Sequence, residues 1–177
     1  MLEFDVVEYL RDSEKKELLS IYYDYYKKVN NLDIFDSFLK VTNGKIQEYI
    51  DDKELINKTI NAKLTLKALN DLQNSYLLIK NDGIIIGTGR VNMLDNVGYV
   101  FEVAFKSDCK EKNDIWKQAI SFLEEYFYEK KCSKIFLYIP FNQGSLLYRA
   151  DELGFKENPD DIKNDDEFYM LSKILES

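Results

Sequence analysis

The stretch from Tyr76 to Phe105 constrains this chain more than any other. Tyr76-Leu77-Leu78-Ile79-Lys80 is apolar and rich in strand formers, and Ile84 to Leu94 is a second such run. Between them lies Asn81-Asp82-Gly83, residue types that tolerate positive φ and close a tight turn. Asp95-Asn96 repeats the device before Gly98-Tyr99-Val100-Phe101-Glu102-Val103-Ala104-Phe105. Turns this short admit only antiparallel neighbours, so the three segments predict a β-meander.

The pattern then changes. A charged loop from Lys106 to Asn113 leads into Ile115, Ala119, Phe122, Leu123, Tyr126 and Phe127, apolar at helical spacing to about Lys131. Lys134-Ile135-Phe136-Leu137-Tyr138-Ile139 follows as a nearly continuous apolar strand, which predicts burial on both faces, with Pro140 stopping it. Strand, helix and strand in this order imply a parallel crossover inside an otherwise antiparallel sheet. Asn142 is placed to cap a short helix that runs through Leu153 and ends at Gly154. Phe168 to Leu175 is a last strand.

The first half of the chain is less regular. Phe4 to Leu10 reads as a strand, and Ser13 with Glu14 as the start of a helix. Leu18, Ile21, Tyr22, Tyr25 and Val29 recur at helical spacing, so the Tyr22-Tyr23-Tyr25-Tyr26 cluster is read as packing through Tyr22, Tyr25 and Tyr26. Residues 30–72 are helix-rich with polar breaks, Asn43-Gly44 being a turn signal. With no linker and no internal repeat, residues 1–177 are expected to form one α+β (mixed α/β) domain with a mostly antiparallel central sheet.

Composition removes several chemistries. The chain has no histidine, which excludes Ser-His-Asp and Cys-His catalysis and any His-ligated metal. Its two cysteines, Cys109 and Cys132, are not a CxxC pair and are too few for a disulfide framework. The acidic stretch Asp160-Asp161 and Asp165-Asp166-Glu167 lacks the spacing of a calcium loop, and no metal site is expected. A net charge of −8 disfavours nucleic acid and suits either simple solubility or a cationic substrate. No apolar stretch reaches membrane-spanning length, and the start shows no signal-peptide pattern, so a cytoplasmic location is expected.

Ile135-Phe136-Leu137-Tyr138-Ile139-Pro140-Phe141-Asn142 followed by Leu153-Gly154-Phe155-Lys156, together with the helix Lys117 to Tyr126, resembles the GNAT (Gcn5-related) N-acetyltransferases. The resemblance covers residues 76–175 well and 1–75 only as a strand followed by helices. It implies a three-layer fold in which acetyl-CoA wedges between two splayed parallel strands, here those ending at Phe105 and Ile139. It further implies acyl transfer to an amine of a small molecule or protein. The strand end Val103-Ala104-Phe105 would supply backbone donors, and Asn142 would lie beside the cofactor. The helix start, with Lys110, Lys112, Asn113, Asp114 and Ile115, would face the pyrophosphate.

Several residues depart from the family pattern. The family loop carries glycines; neither register here, Lys110/Asn113/Ile115 or Glu111/Asp114/Trp116, has one. Asn113 or Asp114 could instead cap the helix and compete with an anion, while Lys110 and Lys112 offset that as point charges. The family's general-acid tyrosine position is Ala150, and Tyr148, two residues earlier, is either a substitute or a surface residue. Glu102, inside an apolar strand, is either a general base or a strand-face glutamate that reaches solvent or pairs with a cation such as Arg90. Two functions are therefore carried forward: an acetyl-CoA-dependent N-acyltransferase acting on an acceptor that Asp33, Asp36, Asp51 and Asp52 could help to hold, and a non-catalytic module of the same shape that binds a partner or small ligand.

Overall fold

A computed structural model describes residues 1–28, 75–140, 143–157 and 168–175. The expected helices over 30–72 and the acidic stretch from Asp160 to Glu167 lie outside these residues, as does Asn142; the helix that Asn142 is expected to cap has Gly144 as its N-cap and no side-chain cap. The elements are β1 (Leu2–Val7), α1 (Asp12–Lys28), β2 (Ser75–Asn81), β3 (Ile84–Leu94), β4 (Val97–Phe105), α2 (Lys112–Glu129), β5 (Lys134–Pro140), α3 (Ser145–Glu152) and β6 (Phe168–Ile174). The six strands form one sheet whose spatial order is their chain order. It is antiparallel except where β4 meets β5. This is the mixed α/β architecture that the meander and crossover predict.

The described residues fall into two compact units. The first comprises Met1–Thr88 and Ala104–Asp108. In it β1 pairs with β2 from Leu2↔Asn81 to Val7↔Tyr76. Tyr76, Leu77, Leu78 and Ile79 are all buried, so β2 packs on both faces. α1 buries Leu18, Ile21, Tyr22 and Tyr25, one stripe at helical spacing. The side chains of Tyr23 and Tyr26 are outside the described set. The helix begins a residue before Ser13, and Glu14 does the capping: its carboxylate accepts the Arg11 N–H at 2.8 Å. A glutamate three residues into a helix reaches back to that donor as half of a capping box.

The second unit comprises Gly89–Val103 and Cys109–Ser177. α2 buries Ile115, Trp116, Ala119, Ile120, Leu123 and Phe127. Phe127 packs so closely on Gly98 that a Cβ there would sit 2.6 Å from the ring. β5 departs from the expected burial on both faces. Ile135, Leu137 and Ile139 are buried, whereas Lys134, Phe136 and Tyr138 are half-exposed. The half-exposed side is aromatic: Tyr99 stacks on Phe136 at 5.4 Å and Phe101 on Tyr138 at 5.8 Å. Such cross-strand ring pairs need an apolar residue type without needing full burial, which is why the strand reads as continuously apolar. Pro140 is its last residue rather than the stop beyond it.

The turns follow residue chemistry. Asp82 and Gly83 have φ of 51° and 82°, and Asp95 and Asn96 have 51° and 62°. Two positive φ values in a row match the right-handed twist of a hairpin. α3 ends in a Schellman motif, with Phe155 N–H bonding Ala150 C=O at 3.0 Å and Gly154 N–H bonding Asp151 C=O at 2.9 Å. Gly154 has φ of 91°, and Phe155 is buried immediately after it. Leu-Gly-Phe is therefore a helix stop with an apolar anchor. Lys173 seals it, bonding Leu153 C=O at 2.6 Å and Glu124 at 2.8 Å.

Candidate functional site

The backbone of the site comes from the one parallel pair. The β4–β5 ladder runs from Val97↔Lys134 to Val100↔Leu137 and stops there. Yet β4 continues to Phe105 and β5 to Pro140, and β5 stays paired with β6 along its whole length to Pro140↔Phe168. The two strands thus run on past the end of their shared ladder. Backbone N–H and C=O groups beyond Val100 are released from that ladder and need other partners.

Glu102 lies on β4 just past this point. It is 2% exposed, and Arg90 Nε donates to its Oε1 at 2.5 Å. The Arg90 guanidinium also lies 5.5 Å from the Phe101 ring centroid. Of the two readings of Glu102, the structure shows the pairing with Arg90. Val103 and Ala104 are buried and Phe105 is half-buried. Burial also pushes the Cys132 thiol above its usual pKa through desolvation.

The loop after β4 enters α2 through Glu111, which is the N-cap residue. This replaces the expected cap at Asn113 or Asp114, both of which lie in the first turn and are exposed. Glu111 adopts φ 58° and ψ 33°, and no side chain caps the helix. Its carbonyl accepts the Asp114 N–H at 3.1 Å and the Ile115 N–H at 3.0 Å. The N–H groups of Lys112 and Asn113 therefore precede the helical ladder, at the positive end of the helix. Ile115 spends its side chain in the core, 7% exposed. Lys110 is exposed and Lys112 half-exposed. Tyr148 on α3 is 69% exposed, so its hydroxyl is open to solvent.

Two functional candidates carried no signal in residue type. Glu111 occupies the left-handed region, where glycine is at ease and another residue is strained by about 1–2 kcal/mol. Glu111→Gly is expected to stabilise the chain by about 0.5–1 kcal/mol once glycine's larger unfolded-state entropy is subtracted. Thermal denaturation of the two proteins side by side checks this, and a loss of stability would show that the Glu111 side chain holds the loop. The second is Arg149 on α3. Its Nη2 lies 3.4 Å from Asp114 Oδ1, across from the first turn of α2. One turn further along α2, Lys117 pairs with Glu152 at 3.1 Å. Among the described residues no group of three acidic, cysteine or histidine side chains forms a metal site, and no helix is long and apolar enough to cross a membrane.

No protein-family model matches the sequence, and no curated protein matches it either. Solved structures do match in shape. The PaiA N-acetyltransferase of Thermoplasma acidophilum, in complex with coenzyme A, superposes with a TM-score of 0.62 at 14% identity, over 97% of this chain and 99% of that one. The ribosomal-protein-alanine N-acetyltransferase of Brucella melitensis gives 0.59 at 16% identity, over 99% of both chains. The spermidine/spermine N-acetyltransferase of Vibrio cholerae gives 0.59 at 13% identity, over 99% of this chain and 95% of that one. At such identities the likeness is one of fold.

Proposed function

We propose, from the premise that the chain has the GNAT fold shared by these three enzymes, that it is an N-acyltransferase moving an acetyl group from acetyl-CoA to an amine. The observation that carries this reading is the β4–β5 ladder that ends at Val100↔Leu137 while both strands run on. The amide-bearing pantetheine arm of the cofactor needs backbone hydrogen-bonding partners, and strands that have left their ladder offer them.

The loop fits a diphosphate despite its sequence. Glycine-free as it is, it places Glu111 in the conformation glycine would take, and leaves the α2 N-terminus without a side-chain cap. Acetyl-CoA, when bound, supplies the activated acyl group as a thioester. The N–H groups of Lys112 and Asn113 and the Lys110 ammonium would bind its phosphates. The β4 end, Val103-Ala104-Phe105, would orient the acyl carbonyl through backbone groups. Glu102 would take a proton from the acceptor's ammonium, through water given its burial, so that the free amine attacks the thioester carbonyl, with Arg90 holding the carboxylate in place. Tyr148 is the candidate acid for the leaving thiolate, and Asn142 belongs to the same site by resemblance. The structural neighbours named for spermidine/spermine and for ribosomal-protein alanine take amine acceptors; a cationic amine suits a chain of net charge −8.

The Arg90 pairing also favours a second reading, a GNAT-shaped binding module, because it occupies the carboxylate that catalysis would use. Calorimetric titration with acetyl-CoA separates the two, repeated with Lys110→Ala and followed by a screen of amines for thiol release. Micromolar binding that weakens several-fold in the variant, with thiol release on some amine, is the expected result. Absence of binding at millimolar cofactor would leave the binding module.

A further inference from the structure

Arg149 on α3 is a charged side chain with one donor left over. Its Nε is buried and has no hydrogen-bond partner among the described residues, and its link to Asp114 spans 3.4 Å, long for a hydrogen bond. The parallel bridge between the same helices, Lys117 to Glu152, closes at 3.1 Å. A guanidinium presents five N–H donors in a rigid fork, and leaving a buried one idle raises the energy of the present arrangement. Among the described residues Arg149's ion-pair partner is one carboxylate, Asp114, 69% exposed and in the first turn of α2, where the helix end favours an anion. Asp114 thus does for Arg149 what a phosphate oxygen would do, with poorer geometry.

We propose that Arg149 is a phosphate-binding residue for the cofactor's diphosphate, supplied from α3 to a loop that lacks glycines, with Asp114 as its internal stand-in. This rests on the acetyl-CoA reading above and deepens it. A diphosphate offers the fork two oxygens at once, which a single carboxylate oxygen at 3.4 Å does not. Exchange of Asp114 for phosphate lets the side chain turn and satisfy its idle donor. Lysine, a point charge, cannot reproduce the fork. Asp114 then becomes a like charge beside the ligand, so removing its charge helps binding.

The test is calorimetry with coenzyme A and, separately, with pantetheine, which has neither phosphate nor nucleotide. Arg149→Met is expected to weaken coenzyme A binding at least about tenfold, the scale of a lost charge-assisted bidentate contact, and to leave pantetheine unchanged. Arg149→Lys should recover only part of the loss. Asp114→Asn, which keeps shape and fold, should tighten coenzyme A and leave pantetheine alone. Thermal denaturation of each variant identifies any that fails to fold, and Asp114→Asn then decides. If the parent binds coenzyme A and Arg149→Met binds it within twofold, or if Asp114→Asn weakens it, Arg149 is only a helix bridge and the acyltransferase reading stands. If the parent binds no coenzyme A, both fall.

Discussion

Arg90→Met is expected to destabilise the protein by about 3–5 kcal/mol, the cost of stranding a buried charge by removing its partner. Glu102 is 2% exposed and Arg90's side chain 13% exposed, so water cannot take the arginine's place at 2.5 Å. The guanidinium's contact with the Phe101 ring goes too. The double variant Arg90→Met with Glu102→Leu should regain most of the loss, because apolar residues of similar volume often replace a buried pair without penalty. Urea denaturation of the parent, both single variants and the double variant gives the coupling energy directly. Single and double variants all as stable as the parent would mean that the pair contributes nothing to the fold. That outcome would leave the pair between β3 and β4 a matter of function alone.

Gly98→Ala should cost about 3 kcal/mol, at the upper end for an over-packed core. A Cβ at Gly98 would meet three atoms of the Phe127 ring at 2.6, 2.6 and 2.8 Å. The ring is 1% exposed, so it has nowhere to swing, and β4 and α2 would have to part. Phe127→Leu removes the clash but opens a cavity. In the double variant the two defects should compensate, so that it is more stable than the sum of the single losses predicts. Denaturation midpoints that simply add would show that Gly98 and Phe127 do not share that space.

Much of this fold was legible because local chemistry fixes it. Asp82, Gly83, Asp95 and Asn96 are residues that tolerate positive φ, and all four adopt it. Leu153-Gly154-Phe155 was legible as a helix end, and its role proves to be a Schellman stop with a buried phenylalanine. Less legible were features set by tertiary context. Nothing in a glutamate announces that Glu111 will enter the left-handed region, since the β4–α2 connection demands it and the residue type does not. The half-exposed face of β5 hid behind Phe136 and Tyr138, whose rings stack on β4 neighbours instead of entering the core. Arg149 could not be singled out because its partner lies on another helix. Glu102 was legible as a carboxylate partly desolvated by its strand or reaching solvent, and proves buried; its pairing with Arg90 was one of the readings, because neighbouring strands of a short hairpin bring such positions together.

The match between spatial and chain order has a kinetic side. β2, β3 and β4 can zip through two short turns, the kind of step that takes about 1–10 μs in isolated hairpins. The outer joints close later, because their partners are far apart along the chain. β1 must find β2 across everything from Glu8 to Asn74, and β5 reaches β4 only after α2 has formed the crossover. The β4–β5 joint is also the one whose ladder stops short at Val100↔Leu137. The sheet is therefore joined late at both flanks, and at the β4–β5 seam, where the cofactor's pantetheine arm would enter, the ladder ends before either strand does.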